Sequence, residues 1–289
     1  MKFAVLTEPY RFEMKEIPVP EPADTEVLIA TSRVGICGSE ITAYRGTHPY
    51  RIPPVILGHE MAGSVLATGG SVKGFGIGER VVVKPHTFCG CCPECLRGEQ
   101  NICREKRVLG SREWPGAFGG FIVSPAYLVH HLPEAIDDEE AALLDPLCVA
   151  VHAVGKARVK AGDRVAILGA GSIGLSTLLV ARATGADAYI TDVRQTSLAI
   201  AEGLGAKETF NVARPEESLR LEALARDLPL DTLFITAGSE DEVPRAVRMV
   251  RRGGQVVVVA HFSRPNIAVD MFTLLTQEKR VQGSSTYTG

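Results

Sequence analysis

The sequence predicts an α/β chain with a β-rich first part and a doubly wound parallel sheet in its second part. Three observations carry this. Short β-branched runs punctuated by Gly and Pro fill the first half. From about Asp138, Ala-rich helical stretches alternate with apolar strands, the signature of βαβ units. Between one such strand and one such helix lies a glycine-rich turn, Gly169-Ala170-Gly171-Ser172-Ile173-Gly174. The length of 289 residues is long for a single core, so two domains are expected. A hydrophobic fraction of 45% excludes a disordered chain. The balance of 31 basic against 34 acidic residues gives no general attraction to nucleic acid or acidic membranes.

In chain order, Met1 to Leu6 reads as a first strand. Its apolar run ends at Glu8 and Pro9, too soon for a secretory signal, so a cytoplasmic protein is expected. Strands are predicted at Glu26–Ala30, Gly63–Ala67, Arg80–Val83 and Gly120–Val123, spaced as in a compact barrel. Parallel strands follow at Val165–Leu168, Ala188–Thr191, Thr232–Ile235 and Gln255–Val259, with helices at Ser172–Thr184, Gln195–Leu204, Glu216–Asp227 and Asp241–Arg251. The longest uncharged stretch, Val165 to Ala181, is short for a membrane span and contains the glycine turn, so a buried strand–turn–helix is expected instead.

That turn suits a dinucleotide. Gly169 permits the tight bend, Gly171 lets the backbone approach a pyrophosphate, and Gly174 allows close helix–sheet contact. The helix opening at Ser172 and Ile173 offers its N–H groups to the phosphates. Asp192, after the next strand, would bind both ribose hydroxyls and repel a 2′-phosphate, which favours NAD over NADP. Arg194 pulls the other way, since it could meet a 2′-phosphate or stack on adenine.

Seven cysteines in a chain read as cytoplasmic point to metal rather than disulfides. Cys89, Cys92, Cys95 and Cys103 have C-x2-C-x2-C-x7-C spacing, and four thiolates make a closed structural zinc site. Cys91 is an extra sulfur that could alter the register. Cys37 and His59, taken singly, read as a small core residue and a satisfied buried histidine. Together with Glu60 or Asp145 they could hold a second zinc that keeps a position open for a substrate oxygen.

Cys37-Gly38-Ser39-Glu40, Gly58-His59-Glu60, the four-cysteine lobe, Asp145-Pro146-Leu147 and the glycine turn follow one another in a familiar order. In this the chain resembles the zinc-containing medium-chain alcohol dehydrogenases, nearest their polyol, vicinal-diol and threonine dehydrogenase branch. The resemblance implies a GroES-like catalytic domain over residues 1–145, a Rossmann domain over residues 146–289, and catalysis in the cleft between them. It implies that Cys37, His59, Glu60 and Asp145 surround a catalytic zinc. Asp145 stands where the branch usually carries the longer Glu. Ser39 would take the substrate proton. Family members often carry His where this chain has Thr42, which leaves His48 as a relay candidate. Ala260 and His261 would approach the nicotinamide ribose. The implied reaction sends hydride from a small-molecule alcohol, diol or polyol to NAD and leaves a ketone, in a homodimer or homotetramer. Thr286 stands where sugar-alcohol enzymes of the branch have Arg, which leaves room for a smaller diol or secondary alcohol. Trp114 is open to either a pocket wall or core packing. Relatives continue past the equivalent of Gly289, so a C-terminal return to the catalytic domain is expected to be absent. An inactive zinc- and nucleotide-binding homologue is the alternative.

Overall fold

The computed structural model describes residues 1–238, 240–262 and 266–288. The chain forms two compact units that meet in sequence at Asp145 and Pro146.

In the first unit, β1 (Lys2–Glu8) pairs antiparallel with β2 (Arg11–Glu16) and with β4 (Val55–Ile56). A second sheet has the order β7-β3-β5-β6-β8, from β3 (Glu26–Val34), β5 (Met61–Thr68), β6 (Arg80–Val83), β7 (Phe121–Pro125) and β8 (Val129–His131), all antiparallel. The alternation predicted for these runs has a physical basis. Val27, Ile29, Val65 and Val81 point inward at two-residue spacing and are buried with Met61, Leu109, Leu128 and Trp114. Each such side chain contributes about 1.5–3 kcal/mol by leaving water. Trp114 belongs to this core, and its Nε1 donates to the Val123 carbonyl at 2.8 Å. Short helices α1 (Gly38–Tyr44), α2 (Pro93–Leu96) and α3 (Asp138–Ala142) decorate the sheets. Helix α4 (Leu144–Ala157) carries the chain into the second unit.

The second unit is one parallel sheet of order β11-β10-β9-β12-β13-β14. Its elements run β9 (Arg164–Leu168), α5 (Ser172–Ala183), β10 (Asp187–Asp192), α6 (Gln195–Gly203), β11 (Glu208–Asn211), α7 (Pro215–Asp227), β12 (Leu230–Ile235), α8 (Glu242–Met249), β13 (Val250–Val258), α9 (Met271–Thr276) and β14 (Arg280–Gly283). The winding reverses between β9 and β12, so the carboxyl end of β9 is the topological switch point, where such folds bind ligands. Both faces of the sheet are covered. Ile167, Ile190, Phe234 and Val257 pack on one side, while Ala166, Leu233, Ile235 and Val256 pack on the other.

Several element boundaries differ from the sequence expectation, and one difference has a visible cause. Helix α8 ends at Met249 rather than Arg251, and the basic run Arg251–Gly254 lies inside β13 as an irregularity opposite Leu230 and Thr232. Gly253 has φ +70° there, a left-handed conformation that glycine adopts without strain. Strand β11, with its mixed sequence Glu-Thr-Phe-Asn, had no apolar run to announce it. Among the described residues no helix is long and apolar enough to cross a membrane.

Candidate active site and zinc centres

Helix α1 begins at Cys37, whose extended backbone makes it the N-cap. The Cys37 amide donates to Glu40 Oε2 at 2.9 Å, tying the first turn to that carboxylate. His59 and Glu60 sit just before β5. Gly58 turns the chain there with φ +98°, and a Cβ at this position would meet the Phe118 ring and backbone. The strip 116–118 hydrogen-bonds along 56–58 and fixes that turn: the amides of Gly116, Ala117 and Phe118 donate to the carbonyls of Ile56, Gly58 and Leu57.

These elements bring Cys37, Glu40 and His59 together, and also His59, Glu60 and Asp145, with the potential ligand atoms of each group within 4.8 Å of one another. His59 Nδ1 lies 2.6 Å from Glu40 Oε1. With Nδ1–H donating to that carboxylate, Nε2 is left as the ligand nitrogen, the arrangement that orients metal-bound histidines. Nε2 stands 4.0 Å from Asp145 Oδ2. Two ligands of a tetrahedral zinc stand about 3.4 Å apart, so Asp145 Oδ2 stands farther from the His59 nitrogen than two directly bound ligands would. Glu60 is buried, and its Oε1 has no hydrogen-bond partner. An orphaned carboxylate oxygen beside a thiol, an imidazole and a second carboxylate is a donor set that fits zinc. Burial pushes Glu60 up to about 7; His59 opposes this, while Asp145 and Glu40 add to it. Burial pulls His59 down, but its bonds to Cys37 and Glu40 outweigh this and hold it up to about 10.

Two residues with no role assigned from sequence complete the cluster. Glu40 Oε1 also accepts from Arg51 Nη1 at 2.8 Å, and both side chains are almost wholly buried. The same Arg51 nitrogen donates to Ser39 Oγ at 2.6 Å, and Arg51 Nη2 donates to the Leu109 carbonyl at 3.3 Å. The Cys-x-x-Glu spacing could have marked Glu40 as a capping carboxylate. Nothing local marks Arg51, which lies in the loop after α1. His48 is buried, and its Nδ1 accepts the amides of Arg51 and Tyr50 at 3.1 and 3.4 Å. A cavity of about 260 Å³ is lined in part by His48 and Arg51. Thr42 Oγ1 donates to the Ser39 carbonyl at 2.9 Å within the helix.

The four-cysteine lobe is assembled by α2, with Cys92 at its N-cap and Pro93 in its first turn. Cys89, Cys92, Cys95 and Cys103 form one group, with Cys89–Cys95 and Cys92–Cys103 sulfur separations of 3.9 Å. Four sulfurs about 2.3 Å from a tetrahedral zinc stand about 3.8 Å apart. The amides of Cys91 and Cys92 hold Cys89 down to about 6, and the Cys92 amide donates to its sulfur at 3.3 Å. Cys91 is exposed and outside the group.

In the second unit, the glycine turn follows β9 at the switch point. Gly169 has φ +103°, and a Cβ there would meet Ala237. Gly171 is the N-cap of α5, with Ser172 and Ile173 in the first turn. Asp192 is buried at the end of β10, and its Oδ2 accepts the Ala170 amide at 2.8 Å, so the carboxylate braces the turn. Its Oδ1 accepts the Arg194 amide at 2.8 Å and Arg194 Nε at 3.3 Å. Ala260 donates its amide to the Ile235 carbonyl at 2.9 Å, and His261 beyond it is exposed.

This pairing of a zinc-type donor cluster with a dinucleotide turn has counterparts among known proteins. Residues 23–134 match the alcohol dehydrogenase GroES-like domain, and residues 172–289 match the zinc-binding dehydrogenase family. Sorbitol dehydrogenase from Bacillus subtilis (strain 168) is 33% identical across 99% of this chain and 82% of its own length. A zinc-binding dehydrogenase from Sinorhizobium meliloti 1021, solved with NADP, has a TM-score of 0.92 and 31% identity over 99% of this chain and 84% of its own. A short chain alcohol dehydrogenase from Escherichia coli CFT073, solved with NADH, has a TM-score of 0.91 and 28% identity over 100% and 84%. The chain belongs to the zinc-containing alcohol dehydrogenase family. Within it, the relatives place the chain in the polyol dehydrogenase branch.

Proposed function

We propose that this protein is a zinc-dependent dehydrogenase that oxidises a secondary alcohol of a diol or polyol to a ketone with NAD. The observation that carries the reading is the pair of donor groups that share His59, Cys37–Glu40–His59 and His59–Glu60–Asp145, with Glu40 holding the His59 ring and Arg51 linking Glu40 to Ser39. Cys37, His59 and Glu60 would hold the catalytic zinc, and the Asp145 spacing suits contact through a water. When bound, zinc supplies the Lewis acidity that makes an alcohol acidic near neutral pH, and NAD supplies the hydride acceptor.

Ser39 Oγ receives the substrate hydroxyl proton on the lone pair that Arg51 leaves and passes its own proton on. His48, the relay candidate from sequence, already accepts the Arg51 and Tyr50 amides on Nδ1, which leaves its hydrogen on Nε2, so it lines the cavity it shares with Arg51 and the proposed outlet for the Ser39 proton is solvent. Cys89, Cys92, Cys95 and Cys103 would hold a second zinc, and four thiolates would leave it no place for a substrate, so its role would be structural. Gly169, Gly171, Ser172, Ile173 and Gly174 would receive the pyrophosphate, and Ala260 and His261 the nicotinamide ribose. Relatives of near-identical fold are solved with NADP in one case and NADH in the other, so the fold alone does not choose. Asp192 supports NAD: its buried carboxylate would repel a 2′-phosphate, and it tethers Arg194, a cation that could otherwise welcome one. The reading includes a homodimer or homotetramer in the cytoplasm, to be tested by light scattering and fractionation.

The deciding assay is NADH formation from a panel of diols, polyols and threonine, with and without a chelator. Chelator-sensitive turnover is expected. No turnover from folded protein carrying two zinc ions per chain would overturn the reading.

A further inference from the structure

Arg51 is 2% exposed, a guanidinium taken almost wholly out of water. Such burial costs several kcal/mol unless the charge is paired and its N–H groups are satisfied. The loop that carries it is pinned from both ends. Its own amide donates to His48 Nδ1 at 3.1 Å, and Nη2 reaches the Leu109 carbonyl, 58 residues along the chain. The remaining contacts converge on the candidate active site. One nitrogen, Nη1, donates both to Ser39 Oγ at 2.6 Å and to Glu40 Oε1 at 2.8 Å. That same Glu40 oxygen accepts from His59 Nδ1 at 2.6 Å.

An arginine has five donors and no acceptor. Toward Arg51, Ser39 Oγ can therefore only accept, and the Ser39 hydrogen is turned elsewhere. Glu40 Oε1 likewise only accepts, so Nδ1 of His59 carries a hydrogen and Nε2 is the nitrogen left to bind a metal. A single guanidinium thus sets hydrogen-bond direction along two branches. One ends at the hydroxyl that meets the substrate, the other at the nitrogen that meets the metal.

We propose that Arg51 is a positioning residue of the catalytic zinc site, fixing the His59 tautomer through Glu40 and the Ser39 hydroxyl directly. This rests on the dehydrogenase reading for its Ser39 branch and on the zinc donor set alone for its His59 branch.

The test compares the unchanged protein with Arg51→Met, Arg51→Lys, Ser39→Ala and the Ser39→Ala/Arg51→Met double variant. Zinc retention is titrated against a graded chelator series, and a Cys37→Ser protein identifies which release step belongs to which site. Arg51→Met is expected to weaken the Cys37–His59–Glu60 site about 10–100-fold, the usual effect of losing a partner that orients a ligand, and to leave the four-cysteine site unmoved. Arg51→Lys keeps the charge beside Glu40 and recovers most of that affinity. In turnover, Arg51→Met lowers kcat by a larger factor with Ser39 present than in the Ser39→Ala background, since the two share one path.

Unchanged zinc affinity in Arg51→Met would overturn the His59 branch. So would equal losses at both zinc sites, or equal losses in the Lys and Met variants. Multiplicative kcat effects in the double variant would overturn the Ser39 branch. If no substrate turns over in the unchanged protein, the dehydrogenase reading falls, while the zinc titration still decides the His59 branch.

Discussion

Gly171 and Gly174 stand three residues apart in the same turn, yet alanine should affect them in opposite ways. A Cβ on Gly174 would lie 1.8 Å from the Gly169 carbonyl oxygen and 2.9 Å from Thr236 Oγ1. The first distance is about half an ordinary contact of 3.5–4.0 Å. Its obstacle is backbone, which cannot swing aside as a side chain can. Overpacking of this kind costs about 1–3 kcal/mol, and for a unit of this size each kcal/mol lowers Tm by about 2–4 °C. Gly174→Ala is therefore expected to melt several degrees early. Gly171 has φ −80° and ψ −172°, which any residue adopts, and a Cβ there meets nothing within 4 Å. Gly171→Ala should stay within about 1 kcal/mol of the unchanged protein, a stiffer unfolded chain offsetting alanine's poorer fit at the N-cap. The open space beside it is where a pyrophosphate would approach the backbone. NADH affinity should fall at least tenfold, about 1.4 kcal/mol. Thermal unfolding and NADH fluorescence titration on both variants decide the matter. A Gly171→Ala protein that binds NADH normally, or a Gly174→Ala protein with unchanged Tm, would refute the reasoning.

Three further outcomes are expected. Asp192→Asn should narrow the preference for NAD over NADP, read as the ratio of kcat/KM values, because the charge that repels a 2′-phosphate is gone; an unchanged ratio would remove Asp192 from cofactor choice. Cys103→Ser should cost one zinc ion per chain by metal analysis and open residues 89–103 to proteolysis, whereas full zinc retention would show that Cys91 can replace it. Asp231 opposes burial with the Arg164 amide at 2.8 Å and Arg251 Nε at 2.6 Å, which together hold its carboxyl below the ordinary value. A lowered folded value means stability present above the unfolded carboxyl range and lost as pH falls through the folded one. Asp231→Asn should thus lower Tm at pH 7, and the deficit should shrink as the pH falls through the folded carboxyl value; a deficit that does not shrink down the acid range would contradict this.

Much of this architecture was legible because its signals are local. The four cysteines lie within fifteen positions, the glycine turn within six, and the central parallel strands β9 and β12 carry apolar runs because both faces of their sheet are covered. Glu40 was half legible, being an N3 carboxylate in a helix whose N-cap is Cys37. Arg51 was illegible because its meaning lies in tertiary contacts with α1 and with Leu109. Helix α1 itself, seven residues long, carries no full hydrophobic period. Asp192 was anticipated as a partner for ribose, but its bond to the Ala170 amide depends on how β10 pairs with β9, which sequence spacing does not encode.

The cysteine lobe has a consequence for how the protein matures. Leu96 and Ile102 within it are 75% and 47% exposed, and its buried members are little more than Cys95, Asn101 and Cys103. Such a segment has almost no apolar interior of its own, so its order depends on the ion it holds. Its local stability then follows the supply of free zinc: each tenfold fall in concentration above the dissociation constant removes about 1.4 kcal/mol. If the lobe holds zinc as proposed, newly made chains would close residues 89–103 only after metal delivery, and a zinc-poor cell would leave them loosened.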